Sequence, residues 1–205
     1  MLRIPKIFHR IWVGDKPLPE EFIKFGDTWQ EHHPDWHMAL WTSPKQIVSR
    51  NLDCVPMARN ASQLSDIMRY EILYAFGGIY LDTDFICQKN VEALLSDASF
   101  VGAGEKPDML SAGFIAAVPE HRIVKKAIDL IPERIKSDMH QAKSTGPGLI
   151  TDAWQPSKDD PDVLAYGPEL FYPYAWNEPH RRHEQFPEAY AVHHWSGSWL
   201  EKPHA

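Results

Sequence analysis

The chain has 205 residues, 43% of them hydrophobic and 24% charged, a composition that fits one globular domain with room for a single core. Its formal net charge is −7 and it has no basic run, which argues against nucleic acid as a partner, because neutralising a phosphate backbone takes clustered Lys and Arg. No stretch reaches the roughly 20 apolar residues of a membrane span, and Pro5, Lys6, His9 and Arg10 interrupt any signal-peptide core, so the expectation is a cytoplasmic chain that meets a membrane only peripherally.

Taken in order, residues 4–13 alternate around Ile4, Ile7, Ile11 and Val13 and predict a strand that runs into a loop at Gly14–Pro17. Residues 19–32 predict a helix with Phe22, Phe25 and Trp29 on one face, and His33–Trp41 a second strand. Pro44 opens a short helix to about Arg50. Residues 61–76 form the strongest helical pattern, with Ser62 as N-cap, Gly77 as C-cap, and Leu64, Ile67, Met68, Ile72, Leu73 and Phe76 as its buried stripe. Ile79–Leu81 is a strand that ends at Asp82. Then come a helical turn at Val91–Leu95, strands at Ser99–Gly102 and Gly113–Val118, and a helix at Glu120–Lys136. Thr145–Thr151 is a glycine-broken turn leading into a helix that reaches Trp154. Ala165–Tyr172 reads as loop and edge strand, and Tyr190–His194 as the last strand. Strands separated by helices predict an α/β fold with a mostly parallel sheet. Cys54 and Cys87 have no metal-binding spacing and are either free thiols or one disulfide. Eight Trp and eleven His exceed what a core of this size calls for, and such side chains serve sugar and phosphate binding as well as packing.

The densest chemistry lies in SDIMRYEILYAFGGIYLDTD, residues 65–84. Asp82 and Asp84, two apart at a strand end and flanked by Ile79, Leu81, Phe85 and Ile86, are carboxylates in apolar surroundings that need a cation or donors. An oxygen-rich corner of this kind suits Mn²⁺ or Mg²⁺ that also holds phosphate oxygens. Asp66 and Arg69, three apart, share one helix face, and the Gly77–Gly78 turn returns that helix to the strand, bringing all four charges to one crevice.

The pattern filled by Ser65, Asp66, Arg69, Leu73, Gly77, Gly78, Tyr80, Asp82 and Asp84 resembles the core of the Asp-x-Asp sugar transferases of glycosyltransferase family 32, which includes capsular polysaccharide enzymes and initiating α-mannosyltransferases. Ile4–Pro19 is similar to that family's first strand and donor-base loop, and His193–Trp199 to its C-terminal motif. The resemblance implies a single GT-A-like domain over residues 1–205, with the donor site built from 4–19, 61–86 and 193–199. In it Asp84 ligates the metal directly, Asp82 meets the ribose or sugar and the metal's waters, and His194 is the third protein ligand. Asp66 and Arg69 meet the donor sugar, Ser198 and Trp199 the diphosphate, and His9 and Trp12 the base. The turn Thr145–Gly148 can shape the sugar or acceptor site. Where the family usually has an Asn before Gly-Phe, this chain has Ser111-Ala112-Gly113-Phe114, so an amide donor to the sugar is absent.

The implied function is metal-dependent, retaining transfer of a hexose or related sugar from a UDP- or GDP-sugar to a glycan, glycolipid or protein-linked hydroxyl. Asp66, Arg69, Asp82 and Trp199 would be the catalytic group. Arg69 and Trp199 would stabilise charge that builds on the leaving phosphate. Two alternatives share features of the pattern. One is a haloacid-dehalogenase-like phosphatase, whose Asp-x-Asp also follows an apolar strand, though Phe85 and Ile86 do not fit its continuation. The other is a decayed sugar-binding protein, which the four charged residues, all present, count against.

Overall fold

The structure, a computed structural model, describes residues 2–197 except 107. Its centre is a six-stranded sheet built from β1 (Ile7–Ile11), β2 (His37–Trp41), β3 (Gly78–Leu81), β5 (Phe100–Lys106), β6 (Met109–Ala117) and β7 (Val163–Tyr166), in the order β2-β1-β3-β6-β5-β7. β2, β1 and β3 pair in parallel, as do β5 and β7; β6 is antiparallel to both neighbours, so five strands run one way and one is reversed. A second, two-stranded sheet joins β4 (Phe85–Cys87) to β8 (Ala191–His193) in antiparallel pairing. This mostly parallel α/β architecture is the expected one, and β7 is an edge strand as predicted. The reversed strand and the small sheet add to it. β4 follows directly on the Asp82–Asp84 segment, too soon for periodicity to set it apart from β3.

Helices cover both faces of the sheet, which is why the central strands read as continuous apolar runs. On one face lie α2 (Ala61–Phe76), α3 (Arg122–Arg134), α4 (Gln141–Ser144) and α5 (Pro147–Trp154), where Ile67, Ile72, Tyr80, Ile115, Ile128 and Leu149 form a core. On the other, α1 (Glu20–His32) and the β4–β8 sheet enclose Phe8, Trp29, Ile79, Leu81, Phe85 and Phe114. Trp29, Trp36 and Trp154 are buried packing residues, while Trp176 is exposed. Cys54 and Cys87 are both buried free thiols. Phe76, expected in the buried stripe of α2, is 44% exposed because it sits at the helix end, and Asn60 rather than Ser62 caps the helix, its side chain accepting from Gln63 N. The predicted helix at Pro44–Arg50 is a three-residue 3₁₀ turn, Pro44–Gln46, with a further 3₁₀ segment at Leu52–Met57. Among the described residues no helix is long and apolar enough to cross a membrane.

Candidate active site

The turn from α2 into β3 depends on its two glycines. Gly77 and Gly78 have φ of 61° and 93°, a backbone region that L side chains rarely adopt. A Cβ on Gly78 would lie 2.6 Å from the Ile7 carbonyl of the neighbouring strand. The chain therefore reverses tightly and lays the polar face of α2 along β3. Tyr80 and Asp82 then point to the α2 side, two residues apart on one face of an extended chain.

Asp66 and Arg69 meet Asp82 there. Arg69 Nη2 lies 2.9 Å from Asp66 Oδ1 and 3.5 Å from Asp82 Oδ1, Nη1 donates to the Ala112 carbonyl on β6, and the guanidinium stacks 4.4 Å over the Tyr80 ring. The other Asp66 oxygen accepts from Thr145 Oγ1 at 2.7 Å and Gln141 Nε2 at 3.4 Å. Tyr80 Oη donates to Asp82 Oδ1 at 2.6 Å. Asp66 and Arg69 are each 4% exposed, so this is a buried ion pair and not a solvated surface one. Burial pushes the Asp66 carboxyl up, opposed by Arg69 and the Thr145 bond. Burial acts to lower Arg69, but Tyr80, Asp66 and Asp82 outweigh it and hold the guanidinium above its ordinary value.

A second cluster adjoins the first. Asp84 is 9% exposed; its Oδ1 lies 3.0 Å from His193 Nε2, and its Oδ2 accepts from the Ser196 backbone N–H at 2.8 Å. His193 Nε2 is also 3.7 Å from Asp82 Oδ2. Asp82, Asp84 and His193 offer one ligand atom each, all within 4.8 Å of one another. Burial would raise Asp84, yet the His193 cation and the Ser196 N–H hold it well below the usual carboxylate range; burial would lower His193, and Asp84 holds it up instead. The imidazole is fixed by stacking on Phe85 at 4.6 Å and by the edge of Trp195 at 4.3 Å, while its Nδ1 is buried with no hydrogen-bond partner among the described residues. The side chain of Asp82, 29% exposed, forms the open side of the cluster. Two carboxylates and an imidazole, with one carboxylate facing outward, fit a divalent cation that retains positions for phosphate oxygens.

The structure thus brings together Asp66, Arg69, Asp82 and Asp84, but it corrects the histidine. His193 faces the carboxylates, and His194, the next residue along an extended chain, faces away: its Nδ1 accepts from Arg182 Nε at 3.0 Å and its ring stacks on Phe25 at 4.9 Å. Burial and Arg182 depress His194 to about 4. His9 also departs from its expected place beside a base. It is 1% exposed, with Nε2 on the Gly77 carbonyl at 2.8 Å and Nδ1 accepting from Trp41 Nε1 at 3.2 Å, so both ring nitrogens are used within the fold. Trp12 is part-exposed, its indole N–H on the Lys16 carbonyl at 2.8 Å. Ser198 and Trp199 lie outside the described residues.

Several site residues had no role of their own in the sequence expectations. Tyr80 shares its face with Asp82, and i, i+2 spacing was the available signal. Gly113 leaves room for Asp82, since a Cβ there would sit 2.8 Å from Asp82 Oδ2 and 3.1 Å from Tyr172 Oη. Glu105, pushed up by burial, has Ser111, His193 and Asp82 as electrostatic neighbours, a relation set by the pairing of β5 with β6. A cleft of about 520 Å³ lined by Pro17, Leu18, Ile23, Met38 and Leu40 lies elsewhere, between α1 and β2, and contains none of the four acidic and basic residues of the site.

Residues 19–101 match the family described as "Glycosyltransferase sugar-binding region containing DXD motif". Inositol phosphoceramide mannosyltransferase 1 of Schizosaccharomyces pombe is 33% identical over 137 residues, covering 62% of this chain and 43% of the relative. Inositol phosphoceramide mannosyltransferase 3 of the same organism is 26% identical over 212 residues, covering 95% of this chain and 56% of the relative. The chain thus spans about half the length of these relatives. The solved structure named PaToxG Glycosyltransferase superposes with a TM-score of 0.65 over 75% of this chain and 69% of that one, at 21% identity. Sequence and fold agree: the chain is similar to the Asp-x-Asp sugar transferases and has a GT-A α/β scaffold.

Proposed function

We propose that the protein is a metal-dependent glycosyltransferase that moves a hexose from a nucleotide-diphosphate sugar to a hydroxyl acceptor with retention of configuration. The observation that carries this reading is the contact between two clusters: the Asp82–Asp84–His193 ligand set and the buried Asp66–Arg69 pair, joined through Asp82. Asp82, Asp84 and His193 would hold a divalent ion, Mn²⁺ or Mg²⁺, whose charge neutralises the donor diphosphate as the sugar–phosphate bond breaks. For that, His193 must give up the Nε2 proton it now directs at Asp84. Asp66, already held by Thr145 and Gln141, would accept from hydroxyls of the donor sugar. Arg69 would stabilise charge at the reacting centre, more strongly in the transition state than in the ground state. Its forked contacts to Asp66 and Ala112 O set that group in place before the donor arrives. Trp199, from the sequence pattern, would add an indole N–H to the leaving phosphate. Asp66 and Asp82 are both engaged by the Arg69 guanidinium, which supports attack by the acceptor from the face the nucleotide leaves over attack by a carboxylate nucleophile.

The relatives' names refer to mannosyl transfer onto a ceramide lipid, which supports a glycolipid acceptor and makes GDP-mannose the first donor to test, with UDP-hexoses beside it. The free buried thiols support a reducing, cytoplasmic compartment, and a lipid acceptor would bring the enzyme to a membrane surface. The test is a screen of GDP- and UDP-sugars for nucleotide release in the presence of Mn²⁺. One donor turned over in a metal-dependent manner supports the reading. Binding of every nucleotide sugar without turnover, with or without lipid acceptors, would identify a sugar-binding protein instead.

A further inference from the structure

Arg10 has no part in the site as described, yet it reaches the peptide between the two aspartates. It lies on β1, faces the α1 side of the sheet and is 4% exposed. Its Nη2 donates to the Thr83 carbonyl at 2.7 Å and to the Phe22 carbonyl of α1. Thr83 is the middle residue of Asp82-Thr83-Asp84, so this bond fixes the peptide plane from which Asp84 departs. The neighbouring groups are held by main chain: Asp82 N–H donates to the Gly113 carbonyl at 2.9 Å, and His194 N–H to the Asp84 carbonyl at 2.9 Å. The Thr83 carbonyl is held by a side chain, and one that is anchored to two other elements. α1 is shaped around it: a Cβ on Gly26 would fall 2.1 Å from Arg10 Nη1. A guanidinium suits the task, because the two N–H bonds of Nη2 lie fixed in the plane of the group and take the two carbonyls in set directions, whereas the N–H bonds of a Lys ammonium rotate. Burying that charge is costly and is offset by those two carbonyls and by the nearby charges of Asp27 and Asp84.

We propose that Arg10 is a positioning residue for the Asp82–Asp84 turn, holding it in the shape that lets both carboxylates converge on one ion. The part of this that concerns an ion rests on the function proposed above; the part that concerns the turn does not. Two substitutions perturb the contact from opposite sides. Arg10→Met removes the fork, and Gly26→Ala leaves Arg10 in place but occupies the space of its Nη1. Gly26→Ala touches no ligand and improves helix propensity, so its effect is separable from misfolding.

The experiment has two arms. Hydrogen–deuterium exchange on the metal-free protein follows peptides covering residues 82–88, with α3 as the remote reference. Mn²⁺ titration with free Mn²⁺ read by electron paramagnetic resonance gives the metal dissociation constant without any donor. Expected in both Arg10→Met and Gly26→Ala are exchange at least about tenfold faster in 82–88 with α3 unchanged, and Mn²⁺ binding weakened by about ten- to a hundredfold, the usual cost of losing a partner that orients ligands. Arg10→Lys should fall between them and wild type. In the double variant Gly26→Ala should add less than about twofold to Arg10→Met, because both act through one contact. Wild-type exchange in 82–88, or equal loosening of 82–88 and α3, overturns the proposal. Wild-type protein that binds no Mn²⁺ refutes the functional reading, and the exchange arm then decides on Arg10 alone.

Discussion

Gly113→Ala isolates the placement of Asp82 without changing a charge or a hydrogen-bonding group. The added Cβ would stand 2.8 Å from Asp82 Oδ2 and 3.1 Å from Tyr172 Oη, where ordinary contact begins near 3.4 Å, so the carboxylate must retreat by about 0.6 Å. It cannot slide freely, because Oδ1 is tied to Tyr80 Oη at 2.6 Å and faces Arg69 at 3.5 Å. A reacting or ligating group misplaced by roughly 1 Å costs about a hundredfold, so a shift of this size should lower kcat by about 10- to 100-fold. Stability should hardly change, because Ala loses less backbone entropy than Gly in a strand, which offsets the crowding. Nucleotide release in saturating Mn²⁺ and donor, Mn²⁺ affinity, and Tm are measured side by side. Wild-type kcat together with wild-type Mn²⁺ affinity would show that Asp82 is not held where this reasoning puts it. Lost activity with a Tm drop of more than about 8 °C would show that Gly113 serves strand packing and not the carboxylate.

Arg69→Lys keeps the charge but loses the fork to Asp66 and the Ala112 carbonyl, so kcat should fall at least about tenfold with donor KM within about threefold; a raised KM at constant kcat would place Arg69 on the wrong part of the donor. Arg69→Ala is the poorer variant, since stranding the buried Asp66 should cost about 3–5 kcal/mol of stability. His193→Gln should weaken Mn²⁺ binding at least about tenfold while His194→Gln leaves it within about twofold, and equal effects would refute the assignment of the ligand to His193. Burial holds His9 and His121 at about 4, so they stay neutral in the folded state. The unfolded chain takes up their protons as pH falls below about 6.5, so stability present above that value is lost between pH 6.5 and 4, by up to roughly 3 kcal/mol per histidine. Urea denaturation at pH 7 and 4.5 checks this; a loss that His9→Asn does not reduce would contradict it.

How far the site is visible in the sequence follows from the range of each interaction. Asp66 and Arg69 share a helix face by spacing alone, and the Gly77–Gly78 turn necessarily carries that face back to β3, so their meeting with Asp82 is a short-range consequence of SDIMRYEILYAFGGIYLDTD. The choice between His193 and His194 is different. Adjacent residues of a strand face opposite ways, and which one faces Asp84 depends on the register of β8 against β4, where Phe85 pairs with His193. That register is a tertiary fact. The same holds for Gly113, whose lack of a side chain matters only because β6 runs antiparallel beside β3, and for Arg10, whose partner Thr83 lies 73 residues away. Thr145 illustrates the middle case: a glycine-broken turn near the sugar site was legible, its hydroxyl on Asp66 was not.

The claim on which the rest depends is that Asp82 and Asp84 hold a divalent ion that the donor diphosphate shares. It is tested most directly by nucleotide release from the preferred donor, measured in Mn²⁺ and in excess chelator, for wild type and for Asp84→Asn, which keeps the shape of the side chain and removes its charge. Chelation should lower the wild-type rate at least about a hundredfold, added Mn²⁺ should restore it, and Asp84→Asn should stay at the chelated rate whatever the Mn²⁺ concentration. Full wild-type activity in excess chelator, or an Asp84→Asn variant that turns over like wild type, would contradict it.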